Sequence, residues 1–219
     1  MRADLHIHTH YSADSVASPE KIILRARQLG LDAIAVTDHS SGRAWPHMMK
    51  FSKKHDFPII CGEEVKIIEG GAIAGEITGL FLTEEIQPAP PMDVIDRIKK
   101  QGGLVVIPHP FDFTRHALPD PEKYVKHIHA VEVLNARTSE KNNQKALEFA
   151  ERFKLAKTGG SDAHSVGEVG KAWTEAKAGD LEDFRKAIQK KKTQAQGGVS
   201  SPTVHLISTV AKTKVVGRP

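Results

Sequence analysis

Short apolar segments alternate with amphipathic segments along almost the whole chain, and this alternation strongly restricts its fold. Ala33–Val36 and Leu104–Ile107 have the length and composition of buried strands. Glu20–Leu29 and Met92–Gln101 place apolar residues at helical spacing, and each is followed by glycine. About seven such strands are separated by helices, which predicts an α/β fold with parallel strands.

Polar residues suited to ligand binding recur where the predicted strands end. Asp38 and His39 follow one strand, His109 follows another, and Asp162 and His164 follow a third. In a (β/α) barrel the C-terminal ends of the strands form one face, whereas in an open sheet these residues would spread along a line. We therefore predict a distorted, TIM-like (β/α)7 barrel that forms a single domain.

The 219-residue length suits one domain. We expect the barrel to occupy residues 1–195 and a basic extension to occupy residues 196–219, with a helix over Pro202–Lys212 that packs on the barrel. The sequence has no run of about 18 apolar residues and no apolar core of a signal peptide. Its single cysteine, Cys61, excludes an internal disulfide. These features predict a cytoplasmic protein.

The chain is mildly basic, with a net charge of +4 and a pI near 9.1. This balance suits an anionic substrate such as a phosphoester or a nucleic acid. Much of the excess charge lies in Lys190–Lys192 and in the C-terminal residues, which favours a solvated basic end over a dedicated nucleic-acid surface.

The N-terminus carries the pattern that most directly suggests chemistry. Leu5–His8 is predicted as the first strand, so His6 and His8 point to the same side, and Asp14 lies just beyond the strand. Imidazole and carboxylate ligands suit Zn, Mn or Fe, and a single cysteine leaves no thiolate cluster to compete.

Eight residues of this kind fall at or just past predicted strand ends. They are His6, His8, Asp14, His39, Glu64, His109, Asp162 and His164. One tetrahedral ion cannot use them all, so we predict two or three ions that share a bridging carboxylate. Each motif alone also has a structural explanation, such as a helix cap or a rigid turn, but their joint placement favours a metal centre. Such centres bind phosphoryl oxygens and lower the pKa of a bridging water.

The motifs DLHIHTHYSAD, TDH, GEEV, PHP and SDAH run from residue 4 to residue 164. In this order they resemble the motifs of the PHP (polymerase and histidinol phosphatase) superfamily. The resemblance implies a distorted (β/α)7 barrel with a two- or three-metal site that hydrolyses phosphoesters. Carried over by motif, it implies a first metal held by His6, His8, Glu64 and Asp162, a second held by Asp14, His39 and His164, and a third held by Glu64 and His109.

Three positions depart from the family pattern. Asp14 is displaced by one residue from the usual Ser-Asp-Gly, although it remains the expected carboxylate. Glu63 and Glu64 compete for the bridge, and the family spacing selects Glu64. Glu76 stands where many relatives have a histidine, and it is either a ninth ligand or a surface strand residue. As a ligand it would favour a harder ion such as Mn.

Several further residues are candidates for substrate contact. Arg115 follows the His109 loop and suits a bidentate clamp on phosphate, although a surface salt bridge explains it equally well. Arg43 and Arg137 lie just past strand ends and are weaker candidates for the same task. Asn135 is a candidate for touching substrate, and Glu132 is a candidate for orienting a metal ligand.

We therefore expect a metal-dependent phosphoesterase that uses two or three Zn, Mn or Fe ions, with Asp162, His164 and Arg115 as its catalytic residues. A metal-activated water would attack phosphorus. The expected substrate is a small phosphomonoester, a nucleotide or a single-stranded nucleic-acid end, and no membrane or obligate protein partner is expected.

Two alternatives stay open at this point. An amidohydrolase-like C–N hydrolase also begins with two histidines on a barrel strand, but no lysine follows a strand in the bridging role. A catalytically silent metal-binding interaction module is the other alternative.

Overall fold

The computed structural model describes residues 1–201, so the helix predicted over Pro202–Lys212 lies outside the described residues. Within residues 1–201 the strands are β1 Arg2–Asp4, β2 Ala33–Val36, β3 Ile59–Glu69, β4 Ala72–Leu80, β5 Leu104–Ile107, β6 Ala130–Asn135, β7 Ala156–Gly160, β8 Ala172–Glu175 and β9 Gln194–Gly197. The α-helices are α1 Pro19–Gln28, α2 Trp45–His55, α3 Pro91–Lys100, α4 Glu140–Arg152 and α5 Leu181–Gln189. Two short 3₁₀ helices cover Pro121–Tyr124 and Val166–Glu168.

All nine strands belong to one sheet in the order β7-β6-β5-β4-β3-β2-β1-β8-β9. β1 to β3 run parallel, as do β5 to β7, but β4 is antiparallel to both of its neighbours. The prediction of parallel strands therefore holds for β1–β3 and for β5–β7, whereas β4 and β8 pair antiparallel with their neighbours. Gly70 and Gly71 have positive φ values of 58° and 82°, which allow a tight hairpin, and the hairpin returns β4 alongside β3.

β7, at one end of the sheet, contacts β8 near the other end, and this contact closes the barrel. The Thr174 hydroxyl accepts a hydrogen bond from the Gly159 N–H at 2.8 Å and donates one to the Gly159 carbonyl at 3.0 Å. Beyond the strand ends, the His8 N–H donates to the Ala163 carbonyl at 2.9 Å. The predicted single-domain α/β barrel with a distorted TIM-like form is thus confirmed.

Strand alternation separates the interior of the barrel from its helical layer. Ala33 and Ala35 pack with inward-facing residues of the other strands, and Phe184 of α5 closes this cluster at the end of the barrel opposite the strand C-termini. Ile34 and Val36, between them in sequence, pack against α1 and α2 instead. This apolar cluster fills the barrel interior, and the buried polar groups lie beyond it, at the C-terminal ends of the strands.

Two strands differ from their predicted limits for local reasons. β1 ends at Asp4 and does not include the two histidines, because the Asp4 carboxylate accepts hydrogen bonds from the His6 and Ser161 N–H groups at 3.3 and 2.8 Å. β9 was not predicted because its sequence, Gln-Ala-Gln-Gly, has no apolar run. It pairs with β8 and crosses residue 195, the predicted boundary between the barrel and the basic extension. That division of the chain stays a prediction.

Among the described helices, none has the length and apolar character needed to cross a membrane.

The close contact at Gly159 gives a test of barrel closure. A Cβ atom there would lie 2.8 Å from the Trp173 carbonyl oxygen and 3.1 Å from the Ala195 Cβ. We expect Gly159→Ala to destabilise the protein by about 1–3 kcal/mol, because backbone cannot move aside as a side chain can. Gly167→Ala is the matched control, since nothing described lies within 4 Å of its Cβ position. Equal urea midpoints for the two variants would contradict the close approach of Gly159 to Trp173 and Ala195 at the point where the barrel closes.

Candidate metal centre

The side chains predicted to bind metal converge in one largely buried cluster at the C-terminal ends of the strands. Its members are His6, His8, Asp14, His39, Glu64, Glu76, His109, Asp162 and His164. Short contacts between an imidazole nitrogen and a carboxylate oxygen link them into one group. The sequence thus identified residues that the fold brings together, although their spacing along the chain reaches from residue 6 to residue 164.

The Glu64 carboxylate lies at the centre of the cluster. Its Oε1 is 2.9 Å from His109 Nε2 and 3.3 Å from His6 Nε2. Its Oε2 is 3.0 Å from His39 Nδ1 and 3.5 Å from His8 Nε2. Each oxygen therefore faces a different pair of imidazoles, which is the geometry of a bridging carboxylate.

Glu63 lies on the other face of β3 and takes no part in the cluster. Its Oε2 accepts a hydrogen bond from the Ile86 N–H at 2.9 Å. Burial raises the pKa of Glu63 to about 8, and the charge of Glu85 adds to the effect. Side-chain alternation along β3 therefore leaves Glu64 as the glutamate that faces the histidines.

Asp14 and Glu76, the two least certain ligands of the sequence, both reach the cluster. The carboxylate oxygens of Asp14 lie 3.4 Å from His39 Nε2 and 3.6 Å from His164 Nε2. Those of Glu76 lie 3.3 Å from His39 Nδ1 and 3.9 Å from His109 Nε2. Glu76 is buried, so it is not a surface strand residue.

The ligating atoms form four overlapping groups in which all atoms lie within 4.8 Å of one another. These groups are His6/His8/Asp162, His8/His39/His164, His6/Glu64/His109 and His39/Glu64/Glu76. The first three correspond in large part to the three metal positions implied by the family motifs. The fourth adds Glu76 beside Glu64.

The charge balance and unused bonding capacity of the cluster fit divalent cations. Among residues 1–201, Glu64 Oε2 and Asp162 Oδ1 are buried without a hydrogen-bond partner, and both face imidazole nitrogens. Buried carboxylate oxygens in this condition are costly unless a cation lies beside them. Imidazole nitrogens and carboxylate oxygens are suitable ligands for Zn, Mn and Fe ions.

Burial and neighbouring charges set the protonation of the histidines in opposite directions. Burial opposes protonation of His6, but three nearby carboxylates outweigh it and hold the pKa of His6 well above its ordinary value. Burial lowers the pKa of His8 to about 3, and two neighbouring histidines add to this effect. His8 is therefore a neutral imidazole, the form that binds metal, whereas a cation at His6 must displace a proton.

Hydrogen bonds around Asp38 fix the loop that carries Asp14. The Asp38 carboxylate accepts from the Thr9 N–H and hydroxyl, both at 2.7 Å, and from the Ser12 hydroxyl at 2.6 Å. The Ser12 hydroxyl also accepts from the His39 N–H at 3.2 Å. Asp38 thus connects the loops of two ligands without entering the cluster.

Arg115 is the predicted clamp that the structure brings to the cluster. Its guanidinium forms an ion pair with Asp162 Oδ2 and lies 3.4 Å from Asn135 Oδ1. Its side chain is 18% exposed, so it borders both the buried ligands and solvent. The other partly exposed members are His39 and Asp14, and these three residues mark the mouth of the site.

The remaining predicted substrate contacts, Arg137, Arg43 and Asn135, have different surroundings. Arg137 is buried in an ion pair with Glu168, with 3.1 Å between its Nε and the carboxylate. Arg43 is on the surface, 5.8 Å from the centre of the Tyr11 ring. Asn135 is fully buried and bonds to Asp162, a predicted ligand.

One supporting contact was not predicted. Asp112 accepts hydrogen bonds from the Thr114 and Thr138 hydroxyls at 2.6 and 2.8 Å, and so anchors the Arg115 loop to the loop after β6. The Asp112–Thr138 pair is separated by 26 residues. Nothing in the spacing of polar side chains indicates that pairing.

Part of the chain matches a family model, and a longer part matches a curated relative. The family model PHP_C, described as PHP-associated, matches residues 140–193. An uncharacterised protein of Methanocaldococcus jannaschii is 37% identical over 147 residues, which cover 62% of this chain and 82% of the relative.

Two solved structures are similar in fold. One is a two-domain Bacteroides vulgatus protein described as containing a predicted PHP-like metal-dependent phosphoesterase. It has a TM-score of 0.76 and 21% identity, and the match covers 90% of this chain and 65% of that chain. The other is an amidohydrolase of Chromobacterium violaceum, solved with sulfate and no metal. It has a TM-score of 0.66 and 16% identity, and the match covers 88% of this chain and 97% of that one.

The two adjacent glutamates provide a matched test of the metal centre. We expect Glu64→Gln to lose at least one equivalent of bound Zn²⁺ or Mn²⁺, because an amide replaces the bridging carboxylate. Glu63→Gln should bind metal like the wild type, because its side chain faces Ile86. Isothermal titration calorimetry on the two variants and the wild type measures the stoichiometry. Equal binding by both variants would exclude Glu64 as a ligand.

The raised pKa of Glu63 predicts a pH dependence of stability. The folded-state pKa of about 8 exceeds the ordinary 4.5, so between these values the native state keeps a proton that the unfolded chain releases. Stability of the wild type should therefore fall as pH rises from 5 to 8. The Glu63→Gln variant lacks this contribution, so its free energy of unfolding should fall less over the same pH range. Urea unfolding of both metal-free proteins at pH 5 and pH 8 measures the difference, and parallel changes would contradict the expectation.

Proposed function

The chain belongs to the PHP superfamily, and from this premise we propose that it is a metal-dependent phosphoesterase. The observation that carries the proposal is the convergence of Glu64 and eight other imidazole and carboxylate side chains in one cluster, with the Arg115 guanidinium at its edge. Two or three Zn, Mn or Fe ions are the cofactors that this ligand set fits.

The proposed roles follow from where the side chains point. The four overlapping ligand groups would hold the ions, and Glu64 would be shared by the two groups that contain it. When bound, ions of this kind polarise phosphoryl oxygens and lower the pKa of a bound water. Asp162 presents Oδ1 to the cluster, and the contact between His164 Nδ1 and the Asp162 carbonyl oxygen at 2.8 Å leaves Nε2 on the side of Asp14.

Arg115 is the proposed anion-binding residue. Its planar guanidinium offers several parallel N–H donors, a geometry that matches phosphate oxygens. Its ion pair with Asp162 places it beside one ligand group, and its partial exposure leaves it accessible from the mouth of the site. A phosphoryl group entering there would meet Arg115 on one side and the ligand cluster on the other.

The proposed substrate is a small phosphomonoester, a nucleotide or a single-stranded nucleic-acid end. Its support is the partial exposure of Asp14, His39 and Arg115 at the edge of the cluster, together with the absence of any large duplex-gripping insertion from residues 1–201. Action without an obligate protein partner and a cytoplasmic location are proposed on the sequence alone.

Amide hydrolysis is the weaker alternative. The fold resembles that of an amidohydrolase, but in the described cluster no lysine lies among the ligands and Glu64 occupies the central position. A silent metal-binding module is disfavoured by the convergence of all the candidate ligands that the sequence predicts. Release of phosphate or of amine from a small substrate panel separates the two hydrolytic activities.

Substitution of Arg115 tests the proposed activity. Loss of a charged hydrogen bond to phosphate costs about 1.5–3 kcal/mol, so we expect Arg115→Gln to lower kcat/KM by about 10- to 100-fold. The substrate would be p-nitrophenyl phosphate, with the Mn²⁺- or Zn²⁺-loaded protein. Arg152→Gln is the control, because Arg152 is exposed and pairs with Glu122 on the surface.

The outcome that contradicts the proposal is equally direct. If the metal-loaded wild type hydrolyses neither phosphomonoesters, to alcohol and phosphate, nor phosphodiesters, to alcohol and phosphomonoester, above the rate of an Asp162→Asn variant, the chain is not a phosphoesterase. If activity is present but Arg115→Gln and Arg152→Gln behave alike, Arg115 is not the phosphate clamp.

A further inference from the structure

We propose that Glu132 and Asn135 are positioning residues of the metal centre. Together they orient His6 so that Nε2 faces the cluster, and they leave one oxygen of Asp162 available to a cation. This inference rests on the proposed function, because it assigns a role toward the metal ions that the cluster would hold. Neither residue is itself one of the nine proposed ligands.

Glu132 is a buried acceptor with donors on both sides. Its Oε1 lies 3.0 Å from His6 Nδ1. Its Oε2 accepts from the His109 N–H at 3.0 Å and from Asn135 Nδ2 at 2.9 Å. Because an ionised carboxylate only accepts, this arrangement requires a proton on His6 Nδ1 and assigns Nε2 to the cluster.

Asn135 separates the carboxylates of Glu132 and Asp162. The orientation of its amide is fixed, because Oδ1 accepts from the Arg137 N–H at 2.9 Å. Its Nδ2 then donates to Glu132 Oε2 and to Asp162 Oδ2, each at 2.9 Å. With Asp162 Oδ2 engaged by Asn135 and Arg115, Oδ1 is the oxygen that faces His8 Nε2 at 3.3 Å.

A local irregularity of β6 places both residues on the site. Residues three apart on a regular strand point to opposite faces. The pairing register between β6 and β7 shifts between Glu132 and Leu134, so that Val133 is an extra residue of a bulge. The bulge brings Glu132 and Asn135 to the same side. Asn143 of α4 then holds the backbone of Asn135 through two hydrogen bonds, both at 3.0 Å.

A carboxamide cannot replace Glu132. Three donors face this side chain, from His6, His109 and Asn135, but a glutamine offers one acceptor oxygen and one donor NH₂. If the NH₂ faced His6, the imidazole proton would have to move to Nε2, the atom that faces the cluster. If the glutamine NH₂ instead faced the His109 N–H and the Asn135 NH₂, three donor groups would face one another with no acceptor between them.

The test compares Glu132→Gln with Glu168→Gln. Glu168 is also buried and hydrogen-bonded, but its partners are Arg137 and Ser165, outside the cluster. We expect Glu132→Gln to bind Zn²⁺ about 10- to 100-fold more weakly at one or more sites. Glu168→Gln should bind Zn²⁺ like the wild type even if it is less stable. Calorimetric titration gives the affinities, and urea unfolding of the metal-free proteins gives the stabilities.

A second measurement reports on His6 itself. Correlation spectra of the ¹⁵N-labelled imidazoles in the Zn²⁺-loaded wild type should show a slowly exchanging Nδ1–H for His6. Glu132→Gln should lose that signal, whereas Glu168→Gln should keep it. Asn135→Asp is prepared in parallel. It replaces the NH₂ group that donates to Glu132 and Asp162 with a carboxylate, which places three carboxylates side by side. The same weakening of Zn²⁺ binding is expected, so the test does not depend on one variant folding.

The outcomes separate this inference from the proposed function. A folded Glu132→Gln or Asn135→Asp protein that binds Zn²⁺ as tightly as the wild type, with the His6 Nδ1–H signal kept, overturns the inference while the phosphoesterase proposal stands. A wild type that binds no Zn²⁺ or Mn²⁺ overturns both. Weakened binding in these variants, without change in Glu168→Gln, supports the inference whatever substrate the enzyme hydrolyses.

Discussion

The buried Glu64 carboxylate and the four imidazoles around it form the interaction on which the rest of the site depends. Each of its oxygens contacts two imidazole nitrogens, at distances from 2.9 to 3.5 Å. A charge placed this deep is costly unless cations or protons surround it. The pKa of Glu64, which burial alone would raise, is held well below its usual range by the surrounding histidines. The carboxylate therefore stays ionised, as a metal ligand must.

Three hydrogen-bonded groups around this centre hold the ligands at fixed positions. Asp38 connects the loops of Asp14 and His39, and Asp112 fixes the loop of Arg115. Glu132 contacts His6, and Asn135 contacts both Glu132 and Asp162. The barrel is closed by the hydrogen bonds between Gly159 and Thr174. Because Gly159 lies three residues before Asp162, closure of the barrel helps to position that carboxylate. Asp14, His39 and Arg115, at the mouth of the site, remain partly exposed.

Much of the architecture follows from the sequence because burial requires it. The apolar strands β2 and β5 have their predicted limits, since a run of apolar residues must be covered on both faces. Strand alternation also separates Glu64 from Glu63, because only one of two adjacent residues can face the barrel interior. The candidate ligands were recognised because their residue types suit metals and because they lie at or near the ends of predicted strands.

Other features depend on pairings that no single segment encodes. The antiparallel return of β4 requires the glycine hairpin, and β9 is too polar to be recognised as a strand. The bulge at Val133 brings Glu132 and Asn135 together, although regular alternation separates them. Arg137 has the spacing of a substrate-binding residue, but Glu168 on a distant segment pairs with it. For the bulge and for Arg137, a contact between segments distant in sequence decides the structure over the local pattern.

Crystals grown with Mn²⁺ and inorganic phosphate would test the central claim most directly, through anomalous scattering at the manganese edge. We expect two or three anomalous peaks inside the cluster, with Glu64 contacting more than one ion and phosphate lying between the ions and Arg115. The absence of peaks within the cluster, or manganese bound only by surface carboxylates, would contradict the assignment of these residues as a metal centre.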